Sequence, residues 1–174
     1  MKNKIKCTSN FLEEGFFKKL QSLIIEEDFP WFKRGNMVDI SKEDMGYFTH
    51  SFYNDNQINS NYFYEYIKPI LTLLDCKAVI QARANLFPSS FYGKPGKAAF
   101  HVDYGYKSKT AIIYLNSCDG GTEFKLKNKI KFIKAEENKI VIFDSDVEHR
   151  GTTSTDTNFR YIINLNEKQN KMHI

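Results

Sequence analysis

The spacing of apolar positions changes near residue 77. Before it, in NFLEEGFFKKLQSLIIEE (10–27), Leu12, Phe16, Leu20, Leu23 and Ile24 recur at the interval of a helix face, and Asn10 is the expected N-cap. DFPWFKRGN (28–36) ends that helix, because Pro30 disfavours helical backbone at Phe29 and Gly35 adds a turn signal. SNYFYEYIKPILTLLD (60–75) predicts a second helix that Pro69 kinks or divides. The first 76 residues therefore read as a helical or irregular part that packs on the remainder of the chain.

That remainder is rich in strand signals. AVIQARANLF (78–87), TAIIYLN (110–116), IKFIKAE (130–136), KIVIFD (139–144) and RYIINLN (160–166) are short, β-branched and aromatic, and turn-forming stretches such as SSFYGKPGK, SCDGG, EEN and TTSTDTN separate them. Strands at such short intervals, with no helix between them, pair antiparallel in a sandwich or barrel. The fold class expected is mainly β with flanking N-terminal helices, the β core spanning residues 77–166 and a tail covering 167–174. No repeat and no low-complexity linker interrupts the chain, and 174 residues with 41% hydrophobic content suit one domain.

Charge narrows the partners. The formal net charge of +4 comes from scattered lysines interspersed with acids, a pattern of a solvated surface that makes nucleic acid an unlikely partner. KLKNKIKFIK (125–134) alternates lysine with apolar residues and predicts a strand with its lysines on the wet face. Cys7, Cys76 and Cys118 are widely spaced and without a CxxC pair, and MKNKIKCTSNF carries no apolar leader, so a cytoplasmic chain with no disulfide framework and no membrane span is expected. The Lys-, Asn- and Ile-heavy composition suggests a bacterium or its phage; oligomeric state leaves no mark.

Candidate chemistry begins at AAFHVDYGY (98–106). If this run is a strand, His101 and Asp103 lie on one face and aim an imidazole and a carboxylate at one point. FDSDVEHRG (143–151) adds His149 after a short turn. Two imidazoles and one carboxylate form the facial set that holds non-haem Fe(II) with coordination positions left open. Arg160 starts the last strand, and alternation puts Arg160, Ile162 and Asn164 on one face. An arginine directed into a barrel needs an anion, and its planar fork suits a dicarboxylate; an arginine directed outward would pair with an acid such as Asp156.

HVD (101–103), IIYLN (112–116), GGTEF (120–124), KIVIFDSDVEHRG (139–151) and NFRYIINLN (158–166) together resemble the double-stranded β-helix (jelly-roll, cupin-like) core of Fe(II)- and 2-oxoglutarate-dependent dioxygenases, most of all the prolyl 4-hydroxylase branch and its small microbial and phage-type relatives. The resemblance covers residues 78–166 and implies His101, Asp103 and His149 as iron ligands, with Arg160 on the distal carboxylate of 2-oxoglutarate. It also implies O2 as cosubstrate, ascorbate as an optional reductant, and Tyr114 as a second hydrogen-bond donor to that carboxylate, against a reading of Tyr114 as core. Asn85 and Thr152 are further cosubstrate candidates; Arg83, Tyr92 and Trp31 are substrate candidates, while His50 and His173 read as structural or exposed. The branch favours hydroxylation of a peptidyl proline or another protein side chain. A free amino acid, a small metabolite, a nucleobase and a non-catalytic β-barrel binding module are the alternatives, the nucleobase disfavoured because no second arginine follows Arg160.

Overall fold

The computed structural model describes residues 5–26, 28–34, 46–89, 96–127 and 129–169. Its elements are β1 (Lys6–Thr8), α1 (Glu14–Ile25), β2 (Phe32–Arg34), β3 (Tyr47–Asn54), β4 (Gln57–Ile58), a π-helical turn (Phe63–Ile67) running into α2 (Lys68–Leu73), β5 (Cys76–Pro88), β6 (Lys109–Tyr114), β7 (Gly121–Leu126), β8 (Lys129–Lys134), β9 (Lys139–Asp144), β10 (His149–Thr152) and β11 (Phe159–Gln169). No described helix is long and apolar enough to cross a membrane. Two sheets face one another. The larger has the order β1-β9-β6-β11-β5-β3-β2, with β4 added to β3, and the smaller has the order β10-β7-β8. All pairings within them are antiparallel, as in a jelly roll.

Strand alternation divides the core in two. On the outer side of the large sheet, Ala82, Ala84, Ala111, Ile113, Ile163 and Leu165 meet Phe17, Leu20 and Ile24 of α1 and Ile67 and Ile70 of the second helical segment. On the inner side, Ile112, Tyr114, Val141, Phe143 and Ile162 pack against Phe124 and Ile133 of the small sheet. Each large apolar side chain so buried contributes about 1.5–3 kcal/mol.

The helices differ in detail from the pattern-based expectation. Asn10 sits at φ 50° in a turn and caps nothing. Helix α1 begins later because Glu13 accepts hydrogen bonds from the N–H groups of Gly15 (2.9 Å) and Phe16 (2.8 Å). Pro69 marks a boundary, as expected: the Lys68 N–H bonds to the Phe63 carbonyl in the wider π spacing, and regular α-helix begins beyond it.

A larger correction concerns the first third of the chain, read as helical or irregular. It contains β3, an eight-residue strand paired with β5 across Phe48↔Leu86, Thr49↔Asn85, His50↔Ala84 and Ser51↔Arg83. Both faces of β3 are covered, so its sequence shows no alternation of apolar and polar residues. His50 is structural, with Nδ1 3.0 Å from the Pro30 carbonyl and Nε2 2.8 Å from Ser60 Oγ. The lysine-rich β8 also departs from expectation. It is an edge strand exposed along nearly its whole length, and Ile130 and Phe132 face solvent while Ile133 alone in it is buried.

On the outer face of the small sheet one carboxylate ties three segments together. Glu123 of β7 accepts hydrogen bonds from Arg150 of β10 (2.7 Å) and from Lys97 (2.8 Å), in the segment that leads to His101, and the Arg150 guanidinium lies 4.1 Å from the Phe100 ring. Burial alone would raise the Glu123 carboxyl, yet the bonds from Lys97 and Arg150 hold it below its ordinary value. A carboxyl depressed in the folded state stabilises fully above its unfolded value and loses that contribution as pH falls through the folded value. Glu123→Gln is therefore expected to lower the melting temperature by about 3 °C at neutral pH. The difference from wild type should shrink toward zero as thermal scans move below pH 4.5.

Candidate metal and cosubstrate site

The site lies between the sheets and is built chiefly from the inner face of β5, β11 and β6. Registers Arg160↔Phe87, Ile162↔Asn85 and Asn164↔Arg83 on one side of β11, and Ile162↔Tyr114, Asn164↔Ile112 and Asn166↔Thr110 on the other, lay these side chains out in rows. Arg83, Asn85, Arg160, Asn164, Thr122 and Gly151 border a narrow cavity that is continuous with solvent, and His101 and His149 stand on its wall.

HVD does not form the strand expected of it. His101 makes an isolated bridge with His149 (N–H to O, 3.0 and 2.9 Å), and Asp103 lies in a bend whose N–H bonds to the Ser145 carbonyl. The three side chains still converge: His101 Nε2 and His149 Nε2 lie 3.7 and 3.8 Å from Asp103 Oδ1, and one ligand atom from each falls within 4.8 Å of the others. Their remaining polar atoms are occupied in the way a metal site requires. His149 Nδ1 is 2.9 Å from the Val147 carbonyl and His101 Nδ1 is 3.3 Å from that of Ala99, so both rings donate from Nδ1 and turn the Nε2 lone pair inward. Burial lowers the pKa of His149, which favours the neutral ring. Asp103 Oδ2 accepts from Thr110 Oγ1 (2.6 Å) and Asn166 Nδ2 (2.9 Å), and Oδ1 is left for an ion.

Arg160 is 1% exposed and has no hydrogen bond or ion pair with any described residue. Asp156, the acid an outward-facing arginine would have met, instead accepts from the Asp119 N–H. The guanidinium carbon lies over the Phe87 ring, 4.4 Å from its centre, that ring in turn stacks on Tyr47, and burial lowers the pKa of the guanidinium. A buried cation without an anion is unfavourable by several kcal/mol. Gly151 accounts for the room beside it, because a Cβ there would come within 2.9 Å of Arg160 Nη2. The orphaned Nε, the open cradle at Gly151 and the Nε2/Nε2/Oδ1 donor set suit a divalent ion with a dicarboxylate reaching from it toward Arg160.

The remaining candidates separate. Asn85 borders the cavity, its Oδ1 2.9 Å from Thr49 Oγ1, and Arg83 borders it too. Tyr114 is fully buried behind the wall; its hydroxyl donates to Thr122 Oγ1 (2.8 Å), and burial pushes its pKa up to about 12. Thr152 does not reach the cavity. Its register opposite Gly121 turns it to the outer face of the small sheet, where its hydroxyl accepts the Gly121 N–H (2.9 Å). Trp31 is likewise no rim contact: it packs on Phe29 and Tyr161, on the outer side of the large sheet. Tyr92 and His173 lie outside the described residues. Thr110, Asn166 and Thr122 were not singled out from the sequence, although Thr110 and Asn166 extend the alternation of Ile112 and Asn164 by one step.

A facial triad at the mouth of a jelly roll, with a buried arginine within, defines the class of non-haem iron oxygenases that take a dicarboxylate cosubstrate. Residues 87–167 match the model of the 2OG-Fe(II) oxygenase superfamily, and that match together with the donor set of the site supports a dioxygenase dependent on Fe(II), 2-oxoglutarate and O2. No curated protein matches the sequence. In fold it is similar to a Pseudomonas putida prolyl-4-hydroxylase, with TM-score 0.70, 13% identity, and 97% of this chain and 94% of that one covered. It is also similar to a Trichoplax adhaerens prolyl hydroxylase in complex with a hypoxia inducible factor peptide fragment, with TM-score 0.68, 16% identity and 95% and 83% covered. The non-heme alpha ketoglutarate dependent epimerase SnoN from nogalamycin biosynthesis shares the fold at TM-score 0.67 and 12% identity, with 97% and 78% covered.

Two substitutions separate the ion's supports from the arginine's. Asn166→Ala frees Asp103 Oδ2 of one donor and is expected to weaken Mn(II) binding about 10–100-fold by equilibrium dialysis, with 2-oxoglutarate affinity of the metal-saturated chain nearly unchanged. Gly151→Ala is expected to show the reverse pattern in the same assays.

Proposed function

We propose that the chain hydroxylates a C–H bond of a peptidyl proline or another protein side chain, with His101, Asp103 and His149 holding the iron and Arg160 holding 2-oxoglutarate. The observation that carries this reading is the juxtaposition of the three converging ligand atoms with a buried arginine that has no anion among the described residues. Support for a peptidyl substrate is the likeness in fold to the two prolyl hydroxylases, one of them in complex with a peptide.

Iron bound there, with 2-oxoglutarate and O2, supplies the oxidising power: one oxygen atom enters the substrate C–H bond and the other ends in succinate, with release of CO2. The chain's own task is placement. The Val147 and Ala99 carbonyls orient the two imidazoles with Nε2 toward the ion, and Thr110 and Asn166 keep Asp103 from rotating. Arg160 meets the distal carboxylate with its charge. Thr122, which already receives the Tyr114 proton, has its own proton free to donate to the same carboxylate. Phe87 and Ile162 keep water from the guanidinium, which strengthens its grip in a medium of low dielectric. No side chain has to act as nucleophile or as general acid.

The test is succinate release by the full chain with Fe(II), ascorbate and 2-oxoglutarate, screened against proline-containing peptides, other peptides and free amino acids. Stimulation by peptides is expected, with Arg160→Ala raising the 2-oxoglutarate dissociation constant about 100-fold. Stimulation by free amino acids alone would sink the peptidyl reading, and an Arg160→Ala chain that binds 2-oxoglutarate like wild type would sink the assignment of Arg160.

A further inference from the structure

Charge does not balance in the loaded pocket. Arg83 and Arg160 both border it, no acid among the described residues does, and counting the Asp103 carboxylate that meets its two histidines leaves a single positive charge. A divalent ion adds two positive charges and 2-oxoglutarate brings two negative ones, so the complete cofactor set leaves that charge in place. Arg160 and the ion account for the two carboxylates of 2-oxoglutarate. Among the described residues, the cation without a counterion is Arg83.

Arg83 also stands in a different place from Arg160. It pairs across the ladder with Asn164, whereas Arg160 pairs with Phe87, four residues further along β5 and about 13 Å away between backbones. This puts Arg83 on the metal side, one step from the Asn166–Thr110 row that holds Asp103, and on the same pocket as His149. Arg83 makes no hydrogen bond or ion pair with a described residue; its Nε is buried and unpartnered, as is Asn164 Oδ1 beside it. A half-buried cation and an amide, both without partners and both bordering the pocket, leave recognition capacity that neither the metal nor the cosubstrate takes up.

We infer that Arg83 is a specificity-determining residue for a substrate carboxylate, so that the target C–H bond belongs to a molecule carrying a carboxylate within reach of the metal. The inference rests on the dioxygenase reading above. The carboxylate has two possible sources, an acidic side chain next to the target residue in a peptide or the α-carboxylate of a free amino acid, and the probes distinguish them.

The full chain, saturated with Mn(II) and 2-oxoglutarate so that no turnover occurs, is titrated with matched acid and amide pairs: acetyl-Glu-Pro-amide and acetyl-Gln-Pro-amide, L-proline and L-prolinamide, acetate and acetamide. Calorimetry reads affinity, and the relaxation of water protons by Mn(II) reads approach to the metal. In at least one pair the acid is expected to bind about tenfold or more tightly than the amide. Arg83→Gln should abolish that preference and Arg83→Lys should keep part of it. A preference in the first pair alone assigns the carboxylate to a peptide, and one in the second alone assigns it to a free amino acid. Wild type without a preference in any pair, a preference that survives Arg83→Gln, or loss of 2-oxoglutarate binding by Arg83→Gln with the pairs unaltered would each overturn the inference. Succinate release stimulated equally by Gln-Pro and Glu-Pro peptides would overturn it and leave the peptidyl reading standing. An acid preference in the proline-free pair, with no succinate released on any peptide, would do the opposite.

Discussion

The register of β11 between β5 and β6 is the constraint on which the site depends. Alternation along this one strand turns Arg160, Ile162, Asn164 and Asn166 inward and Tyr161, Ile163 and Leu165 outward onto the helices. A slip of one residue would exchange the two sets, burying apolar side chains where the carboxylate grip belongs and placing an arginine among the helix contacts. The outer core, with Ile163 and Leu165 fully buried against Leu20 and Ile24, forbids that exchange. Packing energy on the far side of the sheet thus fixes the chemistry on the near side.

The two arginines divide the pocket by depth and burial. Arg160 is sealed between Phe87 and the small sheet, where removal from water makes its attraction for an anion strong and its isolation costly. Arg83 is half-buried and pairs with Asn164, one step from the row that holds Asp103. The deeper cation suits a cosubstrate of constant structure, and the shallower one is where a variable partner enters.

Much of this was legible in the sequence, for identifiable reasons. The β-branched runs of β5, β6, β9 and β11 announce themselves because one face of each meets a continuous core. His101, Asp103, His149 and Arg160 stood out as residue types that are expensive to bury without a task. Strand β3 was hidden because Thr49, His50 and Ser51 interrupt its apolar pattern, each answered by a partner visible only in three dimensions. Thr152 was misjudged because the pairing of β10 with β7, which decides the face it takes, leaves no trace in local sequence. Thr110 and Asn166 matter only through Asp103, 7 and 63 residues away along the chain.

The paired hydrogen bonds between the backbones of His101 and His149 have a wider consequence. The distance between the two imidazoles is set by the main chain, and Asp103 is tethered two residues on by the Ser145 carbonyl. Little conformational freedom remains for an ion to remove on arrival, in contrast to small zinc domains whose chains order only around the metal. An ion held there would be the guest of a finished architecture, and the barrel would stay standing without it.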